Sequence, residues 1–173
     1  VLQFDVGSGN DVLNVSVVGS RTCLQLPRLD LTAHGGRGRD TLNVWVENAV
    51  ITNDWNINLF GDEGADTFMI DFRNVDLEAP VTLHLRGGNG RDRFTETWSN
   101  VLINAPLVLN VEGGRHHDDI LVAFGILNGP GVTVNAPVTV NLNASPGNDD
   151  VRSSPASAFT APTRSPTRRP SLG

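Results

Sequence analysis

Six aspartates recur along this chain at intervals of 29, 26, 26, 26 and 31 residues, and their regular spacing makes them the strongest candidates for chemistry. They are Asp11, Asp40, Asp66, Asp92, Asp118 and Asp149. Stacked carboxylates about 5 Å apart repel by roughly 3 kcal/mol at an effective dielectric of 20, so such a column needs compensation. Ca²⁺ would provide it, because this ion accepts about six to eight oxygens in flexible geometry. Alternatively, each carboxylate accepts turn amides while neighbouring arginines neutralise the column.

Each aspartate closes a six-residue segment of nearly constant chemistry. The segments are residues 6–11, 35–40, 61–66, 87–92, 113–118 and 144–149. Their fourth position is Gly in five of six, with His116 as the exception, and the residue two places after each aspartate is always apolar. Glycine permits tight turns that other residues resist. The sequence therefore predicts the same turn six times.

The chain between these turns alternates apolar and polar residues, as in 13–17 and 81–85. A period of two predicts β-strands with one buried face. Each repeat also has a short apolar segment between its two strands, such as 49–51, and some second strands begin after Ala-Pro, as at Pro80. Proline fits the first residue of a strand because it has no N–H to donate.

A unit of about 26 residues cannot bury its apolar face alone, and stacked units share a continuous core. The repeat therefore predicts an all-β fold, a parallel β-helix or β-solenoid of about five coils with one Gly/Asp-rich turn per coil. A β-sandwich is the competing architecture. Identical turn chemistry in every repeat weighs against a sandwich, whose loops have no reason to resemble one another.

Composition divides the chain at residue 151. Residues 1–151 form the predicted solenoid domain, which we expect to be a fragment of a longer array, and residues 152–173 are rich in Ser, Pro, Thr and Arg, which predicts a disordered tail. The tail holds 4 of the 13 cationic side chains and no acid, so the body carries 9 against 19, or −10. An acidic body argues against nucleic-acid binding. No apolar stretch approaches the ~20 residues of a membrane-spanning helix.

The repeated segment, with the apolar residue after it, resembles the Gly-Gly-x-Gly-x-Asp-x-apolar-x nonapeptide of the RTX, or hemolysin-type, calcium-binding proteins. Residues 35–43 and 87–95 are the best copies. The resemblance implies that Ca²⁺ lies between equivalent turns of neighbouring coils, held by backbone carbonyls and the sixth-position carboxylates. Besides the six aspartates, the implied ligands are Gly7, Gly9, Gly35, Gly38, Gly61, Gly64, Gly87 and Gly90.

The arrangement departs from the RTX pattern in two respects. RTX nonapeptides follow one another directly, whereas here one turn recurs every 26–31 residues, so a calcium ladder would run along one side only. Several variable turn positions also hold arginine, including Arg37 and Arg91, where the family prefers small or polar residues.

Three functions follow from these features. The resemblance implies a structural calcium-binding repeat domain, not an enzyme, in an extracellular protein that is secreted or held at the cell surface. The alternative is a calcium-independent β-solenoid adhesin or spacer, held by packing and Arg/Asp pairs. A carbohydrate-active β-helix enzyme ranks third, because it needs clustered outward acids and Asp71 has no acidic partner. Expected partners are calcium ions, neighbouring solenoid repeats and cell-surface glycans, and outward-facing Trp45 could stack on a sugar ring.

One acidic residue does not fit the predicted pattern. Glu96 occupies an inward strand position, where burial of an unpaired carboxylate is costly. We therefore expect either a bulge in this strand or an approach by Arg91 or Arg93.

Overall fold

The computed structural model describes residues 1–19, 26–125, 131–144 and 149–154, and within these ranges every regular element is a β-strand. The strands form two parallel sheets that the chain visits alternately, and the coils stack into about four turns. The prediction of an all-β parallel solenoid is confirmed. Cys23 and residues 155–173 of the predicted tail lie outside the described residues.

Each sheet is formed by one strand position repeated from coil to coil. The first sheet contains β1 (Leu2–Asp5), β2 (Ser8–Gly9), β4 (Leu29–His34), β5 (Arg37–Gly38), β7 (Trp55–Gly64), β9 (Val81–Asn89), β11 (Leu107–Arg115) and β14 (Val138–Asn143). The second contains β3 (Val12–Val18), β6 (Thr41–Ile51), β8 (Thr67–Leu77), β10 (Arg93–Ile103), β12 (Asp119–Phe124), β13 (Val132–Val134) and β15 (Asp150–Ser154). The last strand continues past residue 151, where the repeat pattern was predicted to end.

The short apolar segment of each central repeat is joined to the strand before it. Strands β6, β8 and β10 each run through a bend at an asparagine, Asn48, Asn74 or Asn100, with φ of 53–54°. Asparagine tolerates this left-handed conformation better than most residues. Each of these strands therefore serves two sides of the coil, and the segment is not a separate element.

The core lies between the two sheets and consists of the inward residues that the alternation predicted. Equivalent positions stack in register from coil to coil, so the pairs are often alike. Phe68 and Phe94 stack with ring centroids 4.5 Å apart, and Phe72 and Trp98 stack at 4.4 Å. All four side chains are fully buried. Because every coil places apolar residues at the same inward positions, packing fixes the register of each coil with the next.

No helix long and apolar enough to cross a membrane occurs in the described part of the chain.

Candidate functional site

The six repeated aspartates form one column along the edge of the stack, which we call the seam. Asp40 Oδ1 accepts a hydrogen bond from the backbone N–H of Asp11 at 2.8 Å, and the same bond repeats from coil to coil. It joins Asp40 N–H to Asp66, Asp66 N–H to Asp92, Asp92 N–H to Asp118 and Asp118 N–H to Asp149, at 2.8, 2.8, 2.9 and 2.9 Å. Each carboxylate therefore reaches back to the coil before it. Bonds of this kind to an ionised acceptor are stronger than neutral ones.

The second carboxylate oxygen of the seam has no such partner. Within the described ranges, Oδ2 is buried and accepts no hydrogen bond in Asp11, Asp40, Asp66, Asp92 and Asp118. The four central aspartates are almost inaccessible, with 0–2% of their surface exposed. Buried polar atoms without partners are rare in proteins. The row of Oδ2 atoms is thus the part of the seam that a cation or a proton would satisfy.

The first glycine of each segment makes room for this oxygen. A Cβ atom added to Gly35 would lie 2.9 Å from Asp40 Oδ2, and one added to Gly61 would lie 2.5 Å from Asp66 Oδ2. The first glycines of the next two segments approach their own aspartates still more closely. None of them has a positive φ. The requirement for glycine here is therefore one of space and not of backbone conformation.

The fourth glycine is needed for a different reason. Gly38 and Gly64 have φ of 137° and 141°, and a Cβ on either would overlap the carbonyl oxygen of the fourth-position glycine one coil earlier. The glycines of the sequence prediction divide accordingly. Gly35, Gly61 and Gly87 lie beside Oδ2, Gly9, Gly38, Gly64 and Gly90 stack at the fourth position, and Gly7 is at the second.

His116 occupies the fourth position of its segment with φ of 90°, which is strained for a residue with a side chain. His116→Gly should raise the free energy of unfolding by about 1 kcal/mol, because glycine adopts this conformation without steric cost. His117→Gly is the matched control. His117 is also exposed but has no positive φ, so this variant should gain no stability. Urea denaturation of both variants measures the difference, and equal effects would contradict the strain.

Burial raises the pKa of three seam carboxyls, those of Asp66, Asp92 and Asp118. The pKa of Asp66 rises from 3.8 to about 6, and that of Asp92 from 3.8 to about 7. Loss of solvent is the main cause in both, and the adjacent carboxylates of the column add to it, while the amide hydrogen bond opposes it. The pKa of Asp118 is raised by burial as well. Protonation of these three carboxyls is therefore shifted towards neutral pH.

Searches of protein families, curated proteins and solved structures find no match for this chain. The site must be interpreted from its own geometry.

In the described part of the chain, arginine does not form the Arg/Asp pairs that one alternative expected along the column. Arg37, the first residue of β5, pairs with Glu63 at 3.1 Å, and Arg93, the first residue of β10, pairs with Asp119 at 4.0 Å. Among the described residues, no ion pair involves a seam aspartate. The other part of that alternative, acceptance of turn amides by the carboxylates, is what the seam shows, and the bonded amides belong to the preceding coil.

The seam does not by itself form a complete coordination sphere for Ca²⁺. Within the described ranges, no group of three or more His, Cys, Asp or Glu side chains is placed to hold a metal ion. Each coil offers one unpartnered carboxylate oxygen, whereas Ca²⁺ takes about six to eight oxygens. Main-chain carbonyls would have to complete the set, and Gly61 O and Asp40 Oδ2 do converge on the same side of Gly35.

Glu96 lies in the core with no exposed surface, as its inward position predicted. Its strand pairs regularly with both neighbours at this point, opposite Ile70 and Val122, so there is no bulge. No arginine of the described residues forms an ion pair with Glu96, and Arg93 pairs with Asp119 instead. Both carboxyl oxygens lack hydrogen-bond partners, and burial raises the pKa of the group to about 8. The indole N–H of Trp98 lowers the pKa of Glu96, against the effect of burial, although the N–H and the carboxylate are not placed to form a hydrogen bond.

Columns of asparagine side chains were not predicted. Asn74 Nδ2 donates to Asn48 Oδ1 at 3.1 Å, and Asn100 Nδ2 donates to Asn74 Oδ1 at 2.7 Å. These residues recur at 26-residue intervals, the same period as the central aspartates. The 26-residue spacing was the signal that could have predicted these amide ladders, which lie at the bends of β6, β8 and β10.

Proposed function

We propose that this chain is a structural β-solenoid, a stiff spacer or adhesive scaffold of a secreted or cell-surface protein, whose coils are held together without a bound cation. The observation that carries the proposal is the seam. Five hydrogen bonds of 2.8–2.9 Å run from backbone N–H to carboxylate between successive coils. They supply at the turns what a bridging ion would supply, namely a direct link between one coil and the next.

The rest of the molecule supports a scaffold role. Continuous stacked columns, such as Phe68 on Phe94, join the coils through the core, and amide ladders join them at the bends. Each coil is therefore bonded to its neighbour at several points around its circumference. A solenoid whose coils contact only their neighbours is stabilised by such nearest-neighbour interfaces.

Calcium binding is the second candidate, and the unpartnered Oδ2 atoms favour it together with the likeness of the turns to RTX nonapeptides. Bound Ca²⁺ would neutralise the stacked carboxylates and give Oδ2 a partner. The residues that would hold it are the central aspartates, with carbonyl oxygens from the glycines beside them. In that case the seam is a folding switch that responds to extracellular calcium.

Thermal melting near neutral pH, with millimolar Ca²⁺ and with a chelator, separates the two candidates. The scaffold proposal expects the same midpoint in both solutions. It also expects Asp92→Ala to lower stability in both by about 2 kcal/mol, because the buried N–H of Asp66 loses its acceptor. Asp119→Ala removes an accessible acid outside the seam and serves as the control, with a much smaller effect.

A midpoint raised by Ca²⁺ would overturn the cation-free proposal. If calcium acts at the seam, Asp66→Ala and Asp92→Ala should abolish that rise, and Asp119→Ala should leave it intact. Asp118→Ala should affect it less, because His116 replaces the fourth glycine in the segment of Asp118.

A further inference from the structure

The outer face of the second sheet carries one indole that is not part of the core. Trp45, on β6, is 45% exposed, whereas Trp55 and Trp98 are 2% and 0% exposed. All three tryptophans of the chain are thus described, and only one can meet a ligand. An exposed aromatic ring on a flat sheet offers a large apolar surface for contact.

One side of the Trp45 ring is covered by a paired charge. The guanidinium carbon of Arg73 lies 5.6 Å from the ring centroid, close enough for a cation–π contact. Arg73 in turn pairs with Asp71 at 2.6 Å, and Asp71 accepts a hydrogen bond from Thr97 at 2.9 Å. The ring is therefore supported from the next coil by a guanidinium that is itself paired with a carboxylate.

The preceding coil leaves the other side of the ring uncovered within the described part of the chain. The sheet register places Ser16 opposite Trp45 on that coil, and this exposed side chain is too short to cover an indole. Beside it, the exposed Asn14 accepts a hydrogen bond from Asn43 Nδ2 at 2.7 Å, while Asn43 Oδ1 is buried and out of reach of a ligand. The open face is thus bordered by the hydroxyl of Ser16 and the amide of Asn14, both of which can bond to a ligand.

We propose that Trp45, Ser16 and Asn14 form a binding site for a neutral carbohydrate. The C–H face of a pyranose ring stacks on the open side of the indole, and its hydroxyls exchange hydrogen bonds with the Ser16 hydroxyl and the Asn14 amide. An uncharged sugar fits better than an acidic one, because Arg73 beside the ring is already paired with Asp71 and Glu47 lies opposite Arg73 in the sheet register, so an acidic ligand finds no unpaired guanidinium at the ring. This site is separate from the seam and does not depend on how the seam is stabilised.

Acrylamide quenching of tryptophan fluorescence tests the proposal in the intact chain, because Trp45 is the indole that the quencher reaches. Cellohexaose and chitohexaose are the neutral probes, and oligogalacturonate is the acidic one. A neutral probe should reduce the quenchable emission in a saturable way, and the acidic probe should not. No protection by either neutral probe, or protection by the acidic probe alone, would overturn the proposal.

Calorimetric titration of variants locates the site. Trp45→Ala should weaken binding by at least about tenfold, since loss of one aromatic contact is worth roughly 1.4 kcal/mol. Ser16→Arg keeps the indole but covers its open face, and it should weaken binding to a similar degree. Met69→Ala, a 50% exposed neighbour on the same face, is the control. Unchanged affinity in Trp45→Ala or in Ser16→Arg, with melting temperatures preserved, would show that the sugar binds elsewhere.

Discussion

Gly113→Ala should lower the free energy of unfolding by about 3 kcal/mol, a large loss for the addition of one methyl group. The new Cβ would overlap the Oδ2 oxygen of Asp118, and the three atoms nearest to it all belong to that one side chain. Asp118 cannot easily turn away, because its Oδ1 accepts the buried N–H of Asp92. Gly113 has no positive φ, so the backbone itself would tolerate alanine.

A double-mutant cycle tests this cause directly. Asp118→Ala alone should cost about 2 kcal/mol, because it leaves the N–H of Asp92 unpaired. If the clash is with the carboxylate, Gly113→Ala should add little in the Asp118→Ala background, and the two effects should be strongly non-additive. Gly131→Ala is the control, since no described atom lies within 4 Å of its added Cβ. Additive losses in the urea midpoints would show that the glycine serves some other purpose.

The protein should become less stable as the pH rises from about 5 to about 9. The folded-state pKa values of Asp66, Asp92 and Glu96 are about 6, 7 and 8, all above the ordinary values of 3.8, 3.8 and 4.5. The folded state therefore holds protons that the unfolded state releases. That contribution is complete below the ordinary values and is lost as the pH passes each folded-state pKa. Each unit of difference between the folded-state and ordinary pKa of a group corresponds to about 1.4 kcal/mol of stability.

Melting temperatures across this range measure the effect, in a chelator so that cations do not contribute. Glu96→Gln supplies the control within the core, because it keeps the size of the side chain and removes the group that titrates last. The variant should melt with little pH dependence between about pH 7 and pH 9, while the decline below pH 7 remains. A melting temperature that stays constant or rises from pH 5 to pH 9 would contradict the raised pKa values.

The solenoid was predictable because its determinants are repeated. A strict period in the aspartates and glycines, together with alternating apolar residues, specifies equivalent coils, and equivalent coils can only share a core by stacking. The inward position of Glu96 followed from the same alternation. The continuity of β6 through Asn48 did not, because a left-handed bend within a strand has no apolar signature.

The site was predicted in position and partly in its bonding. The sequence placed Asp66 and Asp92 in one column and offered turn amides as one alternative, but it could not show that each Oδ1 would take an amide of the preceding coil. That bond depends on how far one coil is displaced from the next, which is set by packing. The difference between the first and fourth glycines also required coordinates. The first glycine is needed because there is no space for a Cβ, and the fourth is needed for that reason and for its positive φ.

The backward reach of the seam carboxylates gives the stack a direction. The buried amide of Asp40 acquires its acceptor only when the coil that contains Asp66 has folded, and the amide of Asp66 waits in turn for Asp92. A ribosome releases these coils in that order. During synthesis, each newly emerged coil would therefore close the one before it, and the last coil to emerge would always be the least secured part of the growing rod.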